Sequence, residues 1–340
     1  MARAGGTTSA IWLRRSAAVT LSLAFVSICA CGGESPSTLD SKGPAASRIE
    51  GLWWLMFWIS AVVFVVVLAM LWIAIRRRRG RPLGREVRWG EPLIIIGGVV
   101  VPAIVLVTVF ALSLRDMGAL SAEGRTAELT VDVVGHDWWW EAVYEESGAR
   151  TANEIHIPVG VPVRLRLTTD DVIHSFWVPQ LQAKIDMIPG RTNEMWLQAD
   201  EPGRFRGQCA EFCGLQHANM VFYVVAEAPA DFETWAEQNA RPANVPTSTT
   251  ASLGMEVFMT SSCVGCHAIE GTPADAEIGP DLTHLAGRST LAAGVLENTR
   301  DNLAAWVTDP QDIKPGSAMP PTELTSDELD ALLDYLEQLE

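Results

Sequence analysis

The sequence predicts a multidomain membrane protein, in which two transmembrane helices precede a β-sandwich domain and an all-α domain. Two apolar segments, Leu52 to Ile75 and Pro92 to Leu114, are each long enough to cross a hydrocarbon core of about 30 Å. Short runs of β-branched and aromatic residues then alternate with polar ones, and the end of the chain shows helical spacing. The 340 residues suffice for several such parts.

The N-terminus has the layout of a secretory signal. Basic residues precede an apolar run from Ala17 to Ala30, which ends at Cys31. The segment Ile28 to Cys31 also resembles a bacterial lipobox, which would make Cys31 the lipidated first residue of the mature protein. An ordinary signal peptide is the alternative. We expect a signal peptide over residues 1–31 and a linker over 32–50.

A strongly basic loop separates the two apolar segments, with arginines at Arg76 to Arg79 and again at Arg81, Arg85 and Arg88. Positive loops stay in the cytoplasm, so both chain ends are expected outside it. We expect a transmembrane hairpin over residues 51–118, with everything after Asp116 on the outer side of a bacterial cell membrane.

The expected sandwich occupies residues 119–232. Its strands are predicted at Leu129 to Val134, Trp138 to Tyr144, Val161 to Thr168, Glu194 to Leu197 and Met220 to Val225. A linker rich in Pro, Ala, Ser and Thr is expected over 233–250.

The all-α domain is expected over residues 251–340. Leucines recur at helix spacing from Leu329 to Leu336, and Thr325 with Glu328 forms a capping box before them.

The chain carries a formal charge of −16, and the stretch from Glu227 to Glu340 accounts for it. Nucleic acid is therefore not expected as a partner. An acidic face attracts basic soluble proteins, although a merely solvated surface explains the same charges.

The six cysteines fall into three close pairs, which favours metal or cofactor chemistry over a disulfide framework. Cys209 and Cys213 are followed by His217 and Met220 and preceded by His174. Two thiolates, two imidazoles and a thioether form a soft, copper-favouring set. One blue-copper ion needs a single Cys, so the second thiolate favours two coppers bridged by both sulfurs. A disulfide or a zinc site is the alternative.

The loop Cys209 to Met220 resembles the copper-A loop of cytochrome oxidase subunit II, and Asp170 to Pro179 and Asp186 to Arg191 resemble its flanking segments. The resemblance covers about Gly51 to Ala228 and implies a cupredoxin-like sandwich. It implies a binuclear copper A held by His174, Cys209, the Glu211 carbonyl, Cys213, His217 and Met220. It also implies that the Glu211 carboxylate reaches a magnesium ion shared with subunit I.

The segment Gly135 to Trp140 resembles the aromatic segment of that family, in which the residue matching Trp138 is where electrons enter. Strand packing is the alternative for a cluster of tryptophans. His136 carries no independent signal and His156 is expected to be structural. Family members often have a glutamate at the start of the second helix that serves a proton channel. Here an isoleucine stands in that place, and Glu91 lies about one turn away.

Cys263-Val264-Gly265-Cys266-His267 is the attachment motif for one covalent haem c, with His267 as one axial ligand of the iron. Met319, 52 residues further on, is expected to be the other. His284 is its competitor and is expected at the surface, and a zinc knuckle or disulfide is the alternative for the cysteines. The segments Gly279 to Leu282 and Trp306 to Pro320 resemble class I cytochromes c fused to oxidase subunit II.

Neither half shows a nucleophile, a general base or an open metal site, so we expect the chain to move electrons. The resemblance implies a subunit of cytochrome c oxidase, partnered with subunit I, which reduces oxygen to water and pumps protons, and with subunit III. The donor is expected to be a soluble cytochrome or the quinol–cytochrome c reductase complex. A nitric oxide reductase subunit and a membrane-bound redox carrier are the alternatives.

Overall fold

The computed structural model describes residues 36–78, 90–120, 127 and 129–340. The expected signal peptide over residues 1–31, with its Cys31, and most of the basic loop lie outside these residues.

Two long apolar helices come first. Helix α1 spans Pro44–Arg78, and helix α2 spans Gly90–Leu120 with a π-helical turn at Ile96–Val100. Their mean hydropathies reach 2.8 and 2.9, and the most apolar windows are unburied. Both contain the segments expected to cross the membrane. In the described residues these are the two helices long and apolar enough to do so. Near their outer ends, Arg48 and Asp116 form an ion pair at 3.7 Å.

The middle of the chain forms two five-stranded sheets packed face to face. The strands are β1 Leu129–His136, β2 Trp139–Tyr144, β3 Arg150–Ala152, β4 Glu154–Pro158, β5 Val163–Thr169, β6 His174–Trp177, β7 Ile185–Met187, β8 Asn193–Leu197, β9 Gly203–Cys209 and β10 Val221–Glu227. One sheet has the order β3-β2-β1-β5-β8 and the other β4-β10-β9-β6-β7. Apolar side chains of both sheets form one core between them.

All five strands expected in the sandwich are present, and its other five strands were not predicted. Strands β1 and β5 alternate buried and half-buried residues, which is the pattern that made them visible. Strand β4 is buried throughout, so it has no alternation to detect. Strands β6 and β7 are only four and three residues long.

The end of the chain is helical around a separate core. Helix α3 Pro229–Asn239 still belongs to the sandwich, since its Phe232 and Ala236 pack into the sandwich core. The helices around the separate core are α4 Thr249–Thr260, α5 Arg300–Thr308, α6 Pro310–Ile313 and α7 Ser326–Leu336, with a short hairpin of β11 Thr290–Leu291 and β12 Leu296–Glu297. Helix α3 extends into the stretch expected to be a linker. The capping box of Thr325 and Glu328 is confirmed at the start of α7.

Helices α4 and α7 cross closely because Gly254 lies at the crossing. A Cβ there would stand 1.9 Å from the Ala331 carbonyl oxygen, so only glycine fits without moving the helix backbone.

The helical part packs directly on the sandwich. The buried Glu154 of β4 accepts hydrogen bonds from the amide and hydroxyl of Ser289, and the Val221 amide donates to the Ala293 carbonyl at 3.1 Å. An exposed pair, Arg150 with Glu277, lies at 3.2 Å. The two parts therefore meet through a hydrogen-bonded interface in addition to the covalent connection between them.

Candidate metal and haem sites

Three strand ends carry the soft donors expected from the sequence. His174 begins β6, Cys209 ends β9 and Met220 immediately precedes β10. Strands β6 and β9 are paired with Phe176 opposite Cys209, and the Cys209 amide donates to the Met220 carbonyl at 3.0 Å. The loop between Cys209 and Met220 therefore closes over the end of one sheet, and the ladder brings distant ligands together.

The six donor groups converge. The Cys209 and Cys213 sulfurs are 3.7 Å apart. Cys209 Sγ lies 3.9 Å from His174 Nδ1 and 3.1 Å from the Glu211 carbonyl oxygen. Cys213 Sγ lies 3.7 Å from His217 Nδ1 and 3.8 Å from Met220 Sδ. Each sulfur therefore faces one imidazole nitrogen and one weaker donor.

These donors fit a copper pair. Sulfurs 3.7 Å apart are free thiols, since a disulfide bond is about 2.05 Å long. Ligands of one first-row ion at about 2.0–2.3 Å lie roughly 3.5 Å from each other, which matches the separations found. A thioether and a carbonyl beside two thiolates exceed what a four-coordinate zinc uses, whereas soft sulfur donors suit copper.

The thiols are electrostatically unequal. The hydrogen bond from Cys213 lowers the pKa of the Cys209 thiol to about 3, against the opposing effect of burial. The same interaction and burial raise the pKa of Cys213. One thiolate is therefore ready to bind a cation at neutral pH, and the charge of a bound metal ion makes the second accessible.

A second layer of residues orients the ligands. Asp171 Oδ1 lies 2.8 Å from His174 Nε2, which leaves Nδ1 directed at Cys209. The Trp138 indole donates from Nε1 to the Cys213 carbonyl at 2.9 Å. Gly214 has a φ of +117°, and a Cβ there would stand 3.0 Å from the same indole. The loop conformation and the tryptophan are thus mutually dependent.

The Glu211 side chain is separate from this cluster. Its carboxylate is 47% exposed and lies 4.0 Å from Lys184 Nζ, whereas its backbone carbonyl faces Cys209. The carboxylate is therefore open to groups outside the chain.

The haem motif lies on a short 3-10 helix, Ser262–Gly265, after helix α4. Cys263, Cys266, His267 and Met319 line one cavity, whose space including its mouth is about 920 Å³. His267 Nδ1 donates to the Pro280 carbonyl at 2.7 Å, which leaves Nε2 free for an iron. A Cβ on Gly279 would stand 2.6 Å from the His267 ring, so glycine is required there. The residues present fit a haem.

His284 is not at the surface, so that prediction is wrong. It is only 5% exposed, because its Nε2 bonds the Arg241 carbonyl at 2.9 Å under the connection between the two parts. It does not line the cavity that holds Met319 and His267.

His156 is structural, as expected. It stacks on Trp235 at 4.1 Å and bonds Glu227 at 2.9 Å. His136 stacks on Trp139 at 4.2 Å. Glu91 lies exposed in the first turn of α2.

The two candidate sites share a wall. Trp138 lines the cavity together with Cys263 and Met319, while its indole touches the copper loop. Lys314 also lines the cavity and donates to the Trp138 carbonyl at 2.7 Å. The sequence did not predict three residues that contact these sites, namely Lys314, Gln216 and Asp171. Only Asp171, three residues before His174, carried a local signal.

Fold and sites together define a membrane-anchored electron-transfer protein with a copper-binding sandwich and a cytochrome c domain. Residues 149–228 match the family model described as cytochrome c oxidase subunit II, periplasmic domain, and residues 251–340 match cytochrome c. The chain belongs to the cytochrome c oxidase subunit 2 family and is a subunit of a respiratory oxidase.

Two curated relatives establish this. Cytochrome c oxidase subunit 2 of Alkalihalophilus pseudofirmus is 37% identical, over 97% of this chain and 98% of its own length. The Bacillus subtilis protein of the same name is 33% identical over 94% and 96%. Among solved structures, the periplasmic domain of subunit II of cytochrome oxidase from Bradyrhizobium japonicum is 34% identical with a TM-score of 0.33, covering 34% of this chain and 95% of that one.

Proposed function

We propose that this subunit passes electrons from one covalent haem c to a binuclear copper A, and from there to subunit I of an oxidase that reduces oxygen to water and pumps protons. The observation that carries the proposal is the position of Trp138. Its indole bonds the copper loop at Cys213 and also lines the cavity of His267 and Met319. When bound, each group supplies reversible one-electron chemistry.

The distances between donors support the proposed copper ligands, and the shared cavity supports the proposed haem ligands. The copper pair is held by His174, Cys209, the Glu211 carbonyl, Cys213, His217 and Met220. Cys263 and Cys266 anchor the haem, and His267 and Met319 bind its iron. Four of the copper donors are at most 5% exposed and are therefore shielded from water, namely His174, Cys209, Cys213 and Met220.

The surface of the copper loop favours an apolar partner. Phe212 is 78% exposed, and Val172 and Ile173 are 41% and 44% exposed on the loop before His174. Such apolar residues around a metal loop mark an interaction site. We infer that subunit I covers this face, that subunit III completes the complex, and that the exposed Glu211 carboxylate reaches a magnesium ion at the boundary with subunit I.

The anchoring helices bear on which side of the membrane the two domains occupy. We infer that α1 and α2 cross the bacterial inner membrane, with the sandwich (residues 119–232), the connection (233–250) and the cytochrome domain (251–340) on the outer side. The family description of a periplasmic domain supports this orientation. The donor is a soluble cytochrome or the quinol–cytochrome c reductase complex, which reacts with the cytochrome domain.

The test begins with the intact complex purified from membranes. We expect two coppers and one covalent haem on this subunit, apart from the metals of subunit I, together with oxygen consumption and no nitric oxide consumption in its place. The Cys213→Ser variant should lose the two-copper stoichiometry and keep the haem. Nitric oxide consumption without oxygen consumption would reassign the complex to the reductases.

The route is tested separately with Trp138→Phe, which keeps an aromatic ring but removes the indole donor. In this variant, electrons from the photoreduced haem should reach the copper pair about tenfold more slowly. A matched control is Trp235→Phe, because Trp235 stacks on His156 and does not line the cavity. Equal rates in both variants and the unmodified protein would exclude Trp138 from the route.

A further inference from the structure

Lys314 is a buried lysine at the boundary between the two candidate sites. It is 3% exposed and lies in the segment that leads to Met319. Its ammonium donates to the Trp138 carbonyl at 2.7 Å and to the Ala292 carbonyl at 3.1 Å. Lysine is rarely buried without an acidic partner, because desolvation of its charge is costly. A lysine that is buried here against two carbonyl acceptors is therefore expected to have a specific role.

The segment around Lys314 is stiff. Gln311 donates to the Met319 carbonyl at 2.8 Å and accepts from the Gly316 amide at 2.9 Å. The carbonyl of Pro315, the residue after Lys314, accepts a hydrogen bond from Gln216 Nε2 of the copper loop at 2.7 Å. Lys314 therefore extends from the turn that carries Met319, and that turn is itself fastened to the copper loop.

Trp138 is held from three sides. Its indole donates to the Cys213 carbonyl, its ring faces Gly214, and its own carbonyl accepts from Lys314. The first two contacts come from the copper loop, and only the third comes from the helical part. Without the lysine side chain, the half-buried Trp138 carbonyl would lose this donor. The tryptophan backbone would then lose this contact with the helical part beside the haem cavity.

We propose that Lys314 is a positioning residue for electron transfer, which holds Trp138 between the haem cavity and the copper loop. The proposal rests on the proposed function, since it needs both groups and the route through Trp138. Burial lowers the pKa of Lys314 to about 7. Both the ammonium and the neutral amine have at least two N–H donors, so the two carbonyls are satisfied in either form.

The experiment compares Lys314→Met with the unmodified oxidase complex. We expect electron transfer from photoreduced haem to copper to slow about tenfold, because a hydrogen bond from a charged donor contributes roughly that factor to a local equilibrium. Hydrogen exchange of backbone amides in residues 136–141 should accelerate by a similar factor. Copper content and the haem spectrum should stay unchanged, and any shift in the two reduction potentials should be too small to account for the slower transfer.

Global stability is not the readout. The Lys314→Met change loses two hydrogen bonds but also removes the desolvation cost of a buried charge, and the two effects on the unfolding free energy oppose each other. The unfolding free energy can therefore change little while Trp138 becomes mobile. Lys42→Met is the matched control, since Lys42 pairs with Asp40 and Glu201 away from both sites. Lys314→Gln keeps a shorter donor and should show a smaller effect in the same direction. It replaces the methionine variant if that protein loses a cofactor.

Each result has a distinct meaning. A Lys314→Met protein with the electron-transfer and exchange rates of the Lys42→Met control would overturn the positioning role. Slower transfer explained by a shifted reduction potential, with exchange unchanged, would overturn it as well, because the lysine would then act through charge alone. If Trp138→Phe also transfers electrons at the normal rate, the proposed route fails, whereas a slow Trp138→Phe with a normal Lys314→Met leaves that route intact.

Discussion

The copper site and the haem cavity are built in opposite ways. Each copper donor lies 3.1–3.9 Å from one of the two cysteine sulfurs, and three of the donors stand at strand ends whose register is set by the sheet. The haem residues instead surround a cavity of about 920 Å³, with Met319 on a loop between helices. Contacts within the sandwich bring the copper donors together, whereas the haem residues meet only around the space that the proposed haem would fill.

The largest expected effect comes from removing the haem anchors. Cys263→Ser combined with Cys266→Ser should destabilise the helical part by about 3–5 kcal/mol, since a large core group is lost and its space cannot fully collapse. Thermal unfolding, with proteolysis mapped to residues 251–340, measures this. The matched control makes the same change at Cys209 and Cys213, where we expect less than about 2 kcal/mol. Equal losses in both would abolish the contrast.

A middle-sized effect sharpens the description of the copper site. Asp171→Asn weakens the partner that orients His174, so copper affinity should fall about 10- to 100-fold while the fold persists. Competition with a copper chelator measures the affinity. Asp170→Asn is the neighbouring control, because that carboxylate is 73% exposed. An unchanged affinity in Asp171→Asn would show that the sheet alone orients His174.

The smallest effect concerns the boundary between the two parts. Glu277→Gln removes the exposed ion pair with Arg150 and leaves the pair of Arg150 with Glu141 inside the sandwich. It should cost less than about 1 kcal/mol of unfolding free energy. Denaturant titration of the full chain detects such a change. A loss above about 2 kcal/mol would mean that the exposed rim, and not buried contacts such as Glu154 with Ser289, holds the two parts together.

Local chemistry explains what was predictable. The apolar length of α1 and α2, the alternation in β1 and β5 and the capping box of α7 are each written in neighbouring residues. Strand β4 was missed because both of its faces are buried. His284 was misplaced for a related reason, since its burial comes from Arg241, 43 residues away in sequence.

The sequence by itself determined the classes of domain, the soft donors of the copper loop and the haem attachment motif, because ligand chemistry and short spacings are local properties. Only the tertiary structure decided that Trp138 faces both sites. It also decided that Lys314 donates to the Trp138 carbonyl, although the two residues are 176 positions apart in the chain. Such contacts arise where two separately patterned domains pack together. No periodicity within either domain encodes the partner that the other will present.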